Sequence, residues 1–206
     1  MIINFGIQEY LFLFIVSEII VGLVLPFIII KEEREKIIEL KLYSLVGFIL
    51  YVLVGMTFIV ILASIDYYYK FSLFNYNIGY YIGFTLFIIG LILQGVAEAT
   101  LGKYYLPSIG TVEGHKIVKD GIYKYIRHPG YLGEIIIFFG LGFVTYSLLG
   151  ILGAFIVSLM VYVGEVIPEE KYMLEKFGKE YEEYMKETFR FIPYIFWFFY
   201  IFYLGP

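Results

Sequence analysis

The chain reads as long apolar stretches parted by short charged ones. Residues 10–30, 42–65 and 79–101 are each long enough to cross the hydrocarbon core as a helix, which takes about 20 residues at about 1.5 Å per residue. A fourth stretch, 131–167, is too long for one crossing, and the small and polar residues at 147–150 divide it into a helical hairpin. Five helices are therefore expected. Beyond them, PEEKYMLEKFGKEYEEYMKETF sets Met173, Phe177, Tyr181 and Tyr184 opposite a charged face, the pattern of an amphipathic helix lying on or under the membrane surface. The closing FIPYIFWFFYIFYLGP is aromatic and short for a crossing, which suits an interfacial anchor, with a sixth short span as the alternative. The expected fold is all-α, a polytopic integral membrane protein of one domain over residues 1–206. Its parts are three spans (1–101), a loop, hairpin and amphipathic helix (102–193), and an aromatic tail (194–206).

Charge gives the direction of the helices. Lys31, Arg34, Lys36 and Lys41 follow the first span, and only Lys70 follows the second. Lys103, Lys116, Lys119, Lys124 and Arg127 follow the third, and five more basic residues follow the hairpin. The positive-inside rule puts the first loop, the third loop and the C-terminal region in the cytoplasm, with the N-terminus outside. MIINFGIQEY lacks a basic start and a cleavage site, so the first run reads as a retained span in the cell membrane. Composition agrees, with 61% hydrophobic and 17% charged residues. The absence of cysteine excludes disulfides, thiolate metal sites and cysteine nucleophiles. A net charge of −4 without a basic stripe gives no sign of nucleic-acid binding.

The unusual polar residues gather at one membrane face. Both histidines, His115 and His128, fall in the third loop. Glu98, Glu134, Glu169 and Glu170 sit near the ends of the helices that meet there. Each has an ordinary reading. Arg127 serves as a topology anchor, Pro129 starts a helix, and Glu98 is a solvated helix end. Glu169 and Glu170 complement a helix dipole, and Tyr123, Tyr125 and Tyr131 join the interfacial belt. Glu134 resists that treatment, since an ionisable group inside a span is a functional candidate by default.

Taken together they describe a ligand. The helix start at Pro129 and the donors of Arg127 and His128 suit a carboxylate or phosphate. Tyrosine faces suit a heterocycle or a sulfonium, and Glu169 suits a ribose diol or an ammonium. S-Adenosylmethionine makes all of these demands, and a nucleotide makes many of them.

The segments GHKIVKDGIYKYIRHPGYLG and PEEKYMLEKFGKEYEEYMKETFRFIP, in this order around a hairpin, resemble the isoprenylcysteine carboxyl methyltransferase family. Phospholipid methyltransferases and other small membrane methyltransferases share the signature. The resemblance runs from His115 to Pro193; the earlier helices share only hydropathy. It implies an S-adenosyl-L-methionine pocket lined by His115, Lys116, Ile117 and Val118, with Tyr123, then His128, Pro129, Gly130 and Tyr131, and Glu169 after the last helix. In the isoprenylcysteine enzymes an arginine assigned to substrate lies four residues before the key glutamate. Glu165 stands there in this chain, and neither Arg nor Lys occurs from Gly130 through Glu170. Glu165 would repel an acceptor carboxylate and attract an amine, unless Arg190 compensates.

The expected reaction is a one-step methyl transfer to a lipophilic acceptor, a prenylated cysteine or a lipid headgroup, at the cytoplasmic face. Arg127 would steady the anionic end of the cofactor, while Glu165 and Glu170 face the acceptor. A lipid or small-nucleophile N- or S-methyltransferase is one alternative. An NADPH-dependent membrane reductase is another, since sterol and enone reductases share an arginine–histidine–proline segment. A transporter or scaffold is the non-enzymatic class, and it would place polar groups near the midplane. The histidines and glutamates show no metal-ligand spacing.

Overall fold

The computed structural model of the chain describes Val16 and residues 37–40, 42–69, 76–106 and 108–191. Within these residues the protein is mostly helical. Helix α1 is Leu42–Tyr69 and α2 is Tyr76–Leu101. Helix α3 is Pro129–Val144 and α4 is Leu148–Val161. A π-helical turn, Tyr162–Val166, carries α4 without a break into α5, Ile167–Phe177, and α6 is Lys179–Glu187. A short antiparallel pairing joins β1, Ile37–Leu40, to β2, Gly110–Val112, in the loop before α3.

Among the described residues, two continuous helices are long and apolar enough to cross a bilayer, Ile78–Tyr104 and Leu148–Phe177, while Leu53–Asp66 and Pro129–Val144 are shorter apolar stretches. The expected boundaries at 42 and 101 coincide with helix ends. The expected break at 147–150 coincides with the turn between α3 and α4. The expected first span (10–30), apart from Val16, and the aromatic tail (194–206) lie outside the described residues. The single amphipathic helix expected after the hairpin is two helices, because Gly178 adopts φ +55° between them, a left-handed conformation that glycine takes without a Cβ clash.

Helix α3 is central. Its Ile137, Phe138, Leu141 and Val144 are at most 1% exposed and pack with Ile59 of α1, Phe87 of α2, and Ala154, Val157 and Val161 of α4. Helices α2 and α3 meet backbone to backbone. A Cβ on Gly83 would fall 2.5 Å from the Gly140 carbonyl oxygen, and one on Gly90 would fall 2.6 Å from that of Gly133. The reciprocal contacts are equally close, 2.8 Å from Gly140 and 2.7 Å from Gly133. Both pairs are seven residues apart on each helix, a spacing that keeps one seam facing its neighbour. This close approach brings the end of α2 against the start of α3, where the polar groups gather.

At the other end of α3, Tyr146 takes φ +52° in the turn. Ser147 then caps α4 by accepting from the Gly150 N–H at 2.8 Å. Asp66 of α1, 2% exposed, accepts from the Ser147 hydroxyl and from the Leu149 N–H at 3.0 Å.

Candidate active site

The segment Tyr125–His128 is pinned by the chain beyond α6. The Arg127 N–H donates to the Phe189 carbonyl at 2.8 Å, the Phe189 N–H to Tyr125 at 2.9 Å, and the His128 N–H to Arg190 at 3.2 Å. His128 is the N-cap of α3, with Pro129 in the first helical position, where its fixed φ and missing N–H cost nothing. Both imidazole nitrogens face carboxylates: Nε2 lies 3.2 Å from Glu170, and Nδ1 lies 3.9 Å from Glu169.

Glu170, 4% exposed, is the hub of this corner. Its Oε1 accepts from Arg127 Nε at 3.0 Å and Arg190 Nε at 3.0 Å, and its Oε2 accepts from Arg190 Nη2. Arg127 spends Nη1 on the carbonyls of Met185 and Thr188. Arg190 also donates to the Tyr162 hydroxyl in the π turn and lies 5.3 Å from its ring centre. A carboxylate this buried is tolerable only when paired and hydrogen-bonded on both oxygens, and here it is.

His115 follows β2. Its Nδ1 lies 3.4 Å from the Val112 N–H, which donates to it, so the neutral ring carries its proton on Nε2. Burial, and then the charge of Lys176, lowers its pKa below the usual value, which favours the neutral form. The ring sits between Tyr104 at 5.3 Å and Phe177 at 5.8 Å, centre to centre. Tyr172 of α5 shares a hydrogen bond of 3.1 Å with Thr111 of β2, and Tyr184 of α6 donates to the Tyr123 carbonyl at 2.8 Å. Burial foremost, then the nearby Glu169 charge, pushes the Tyr123 phenol above its ordinary pKa, so it stays protonated as a donor.

These segments enclose one pocket. Of the residues expected at the site, His115, Lys116, Ile117 and Val118 line it from the loop, as do Tyr123, Arg127 and His128. Gly130, Tyr131 and Glu169 complete that set from α3 and α5. Pro129 is buried behind them as the start of α3. Glu165 and Glu170, expected to face the acceptor, do not line this pocket. Glu165 is buried in the π turn, and Glu170 is committed to Arg127, Arg190 and His128. Glu98, read from the sequence as a solvated helix end, lines the pocket, because the C-terminal turn of α2 abuts the loop rather than water.

Sequence reasoning missed several lining residues: Gln94 on α2, Tyr104 and Tyr105 just beyond it, and Tyr172, Tyr181 and Tyr184 on the terminal helices. Tyr181 and Tyr184, each 3% exposed, belong to the apolar face assigned to the membrane surface. That face closes over the pocket instead. Periodicity finds an apolar stripe but does not say what covers it.

The site combines cationic donors (Lys116, Arg127), two imidazoles, several phenols and carboxylates from three helices. That set suits a ligand bearing an anionic group, a cationic group and a flat ring.

Residues 78–180 match the phospholipid methyltransferase family. The chain is 32% identical over 118 residues to a probable protein-S-isoprenylcysteine O-methyltransferase of Oryza sativa subsp. indica, covering 56% of this chain and 61% of the relative. It is 34% identical over 116 residues to protein-S-isoprenylcysteine O-methyltransferase B of Arabidopsis thaliana, covering 55% and 58%. Steroid 5-alpha-reductase DET2 of Solanum lycopersicum is 33% identical over 111 residues, covering 54% and 41%. The matched region thus spans less than two thirds of each of these relatives. With the family's region laid over α2, the loop, the hairpin and α5, the chain belongs to the phospholipid methyltransferase family, alongside the isoprenylcysteine O-methyltransferases.

Proposed function

We propose that the protein is an integral membrane methyltransferase that uses S-adenosylmethionine to methylate a lipophilic acceptor at the cytoplasmic face. The observation that carries this reading is the convergence of His115–Val118, Tyr123, Arg127–His128, Tyr131 and Glu169 on one pocket at the helix ends. Outward-facing apolar side chains such as Ile92, Phe155 and Val163, each more than half exposed, support a lipid setting for α2 and for α4 with the π turn that extends it.

The pocket's chemistry fits the cofactor. Lys116 and the remaining Arg127 donor suit the amino-acid carboxylate, and Glu169 suits the ammonium or the ribose diol. The tyrosine faces suit adenine and the sulfonium. When bound, the cofactor supplies a methyl group already activated on a sulfonium. The protein's part is to align that group with the acceptor and to exclude water. Glu170 holds His128, Arg127 and the chain around Arg190 in register; it acts through them. The closure of α5 and α6 over the loop, tied by Tyr172 to Thr111 and by Tyr184 to Tyr123, keeps solvent out. A carboxylate acceptor needs no base, whereas an amine or thiol must lose a proton.

The similarity to a steroid 5-alpha-reductase supports a second reading, a membrane reductase using NADPH. Calorimetric titration of the purified protein in detergent separates the two. The methyltransferase reading predicts saturable binding of S-adenosylhomocysteine that His128→Ala abolishes. Binding of NADPH in its place would reverse the order of the two readings.

A further inference from the structure

Charge is distributed unevenly around the pocket. Its imidazoles and its cationic donors, Lys116 and Arg127, all come from the loop. One wall comes from α2 and α3, which contain no Lys, Arg or His. That wall carries two carboxylates instead, Glu98 and Glu134. Glu134 is 3% exposed and lies in the second turn of α3. The two converge on one group, for the Tyr105 hydroxyl is hydrogen-bonded to Glu98 and also feels the charge of Glu134. Burial foremost, then Glu98 and Glu134, holds that phenol well above its ordinary pKa, so Tyr105 stays protonated and adds no charge of its own.

Two further features of the wall suit a bound cation. Tyr131 stands one turn before Glu134, so an aromatic ring and a carboxylate share one side of α3. The Tyr131 hydroxyl is hydrogen-bonded to Glu169, which ties the ring to α5. On α2, Gln94 stands one turn before Glu98, and its side-chain oxygen is buried without a hydrogen-bond partner among the described residues. A buried acceptor left over in an apolar helix calls for a ligand of positive character.

On the methyltransferase reading given above, we propose that this wall reads the charge on the donor's sulfur, and that Glu134 is the residue that distinguishes S-adenosylmethionine from S-adenosylhomocysteine. The two molecules share the carboxylate, ammonium, ribose and adenine that the loop and Glu169 suit. They differ by one methyl group and one positive charge. Methyl transfer leaves the S–CH3 electron pair on sulfur, so the charge is gone once the acceptor has been methylated. Carboxylates in low-dielectric surroundings attract a sulfonium strongly and have no comparable hold on a neutral thioether. The pocket therefore takes up the donor in the presence of product and lets the product leave.

Calorimetric titration of the full chain in detergent tests this without turnover. The probes are S-adenosylmethionine, S-adenosylhomocysteine and sinefungin, which carries a protonated amine in place of the S–CH3 group. The unaltered protein should bind the two cationic ligands more tightly than S-adenosylhomocysteine. Glu134→Gln keeps the shape and removes the charge. It should raise Kd for both cationic ligands about tenfold, the scale of one charge pair across a pocket at an effective dielectric of about 20, while S-adenosylhomocysteine stays within about twofold. Glu98→Gln should act in the same direction but more weakly, since Glu98 is the more exposed of the two. It decides on the same ratio should Glu134→Gln not fold. Glu169→Gln is the control: Glu169 suits groups that all three ligands share, so their Kd values should rise together. Equal shifts for the three ligands in Glu134→Gln, or no shift in any, would overturn the proposal and leave the methyltransferase reading standing. Tighter binding of S-adenosylhomocysteine than of S-adenosylmethionine by the unaltered protein would do the same. Failure of the unaltered protein to bind any of the three would overturn the methyltransferase reading itself.

Discussion

Two buried carboxylates mark opposite ends of α3, and their partners differ in kind. Asp66, at the turn before α4, is satisfied by the neutral Ser147 hydroxyl and the Leu149 N–H. Those donors are fixed by a helix start that forms locally. Glu170, at the start of α3, is satisfied by two guanidinium groups and an imidazole drawn from 20, 42 and 43 residues away. The Asp66 arrangement holds two helices together and does nothing else visible. The Glu170 arrangement holds in place two side chains that line a pocket, Arg127 and His128. Neutral capping suffices to staple a bundle. A binding wall assembled from distant segments needs charge, since charged hydrogen bonds are stronger and directional.

The largest effect is expected from breaking the charged end. Glu170→Ala leaves Arg127 buried without its counter-charge and should cost about 3–5 kcal/mol, read as a fall in the detergent-solubilised Tm with loss of S-adenosylhomocysteine binding. Next is the neutral end: Asp66→Ala should cost about 1–2 kcal/mol, as for a lost cap, with the Kd for S-adenosylhomocysteine unchanged. Equal binding losses in the two variants would erase the distinction between a staple and a site. Glu169→Gln should barely move Tm yet raise that Kd about tenfold, because Glu169 faces the pocket and its contribution is one charged hydrogen bond.

The smallest effect is a pH dependence. The His115 pKa lies below 6.5, chiefly through burial, so the unfolded chain takes up a proton that the folded chain resists. Its contribution is present above that pH and is lost as pH falls below it. Tm measured at pH 7.5 and 5.5 should drop less in His115→Gln than in the unaltered chain. A larger drop in the variant would contradict the sign.

Much of this was legible in the chain, for physical reasons. The described helices show in hydropathy because a helix among lipids must be apolar over its full length. The hairpin break shows because Ser147 and Gly150 punctuate an otherwise unbroken apolar stretch. The loop half of the site shows because Arg127, His128 and Pro129 are rare in such company. What stayed hidden depended on who touches whom. Glu170 is next to Glu169 in sequence, but one step of helical rotation turns it away from the pocket and Arg190 absorbs it; Glu165, one turn earlier, is buried in the π turn. Gln94 and Tyr105 carry no local signal, because their role depends on the seam of Gly83, Gly90, Gly133 and Gly140 that draws α2 against α3.

The central claim is that one pocket, closed by the loop and the terminal helices, holds the methyl donor. The most direct measurement is ultraviolet crosslinking of methyl-tritiated S-adenosylmethionine to the purified protein, with peptide mapping. The account predicts label on peptides containing Tyr123 or Tyr131, or Tyr172 through Tyr184, displaced by excess S-adenosylhomocysteine. Displaceable label confined to α1, or label that excess S-adenosylhomocysteine leaves in place, would contradict it.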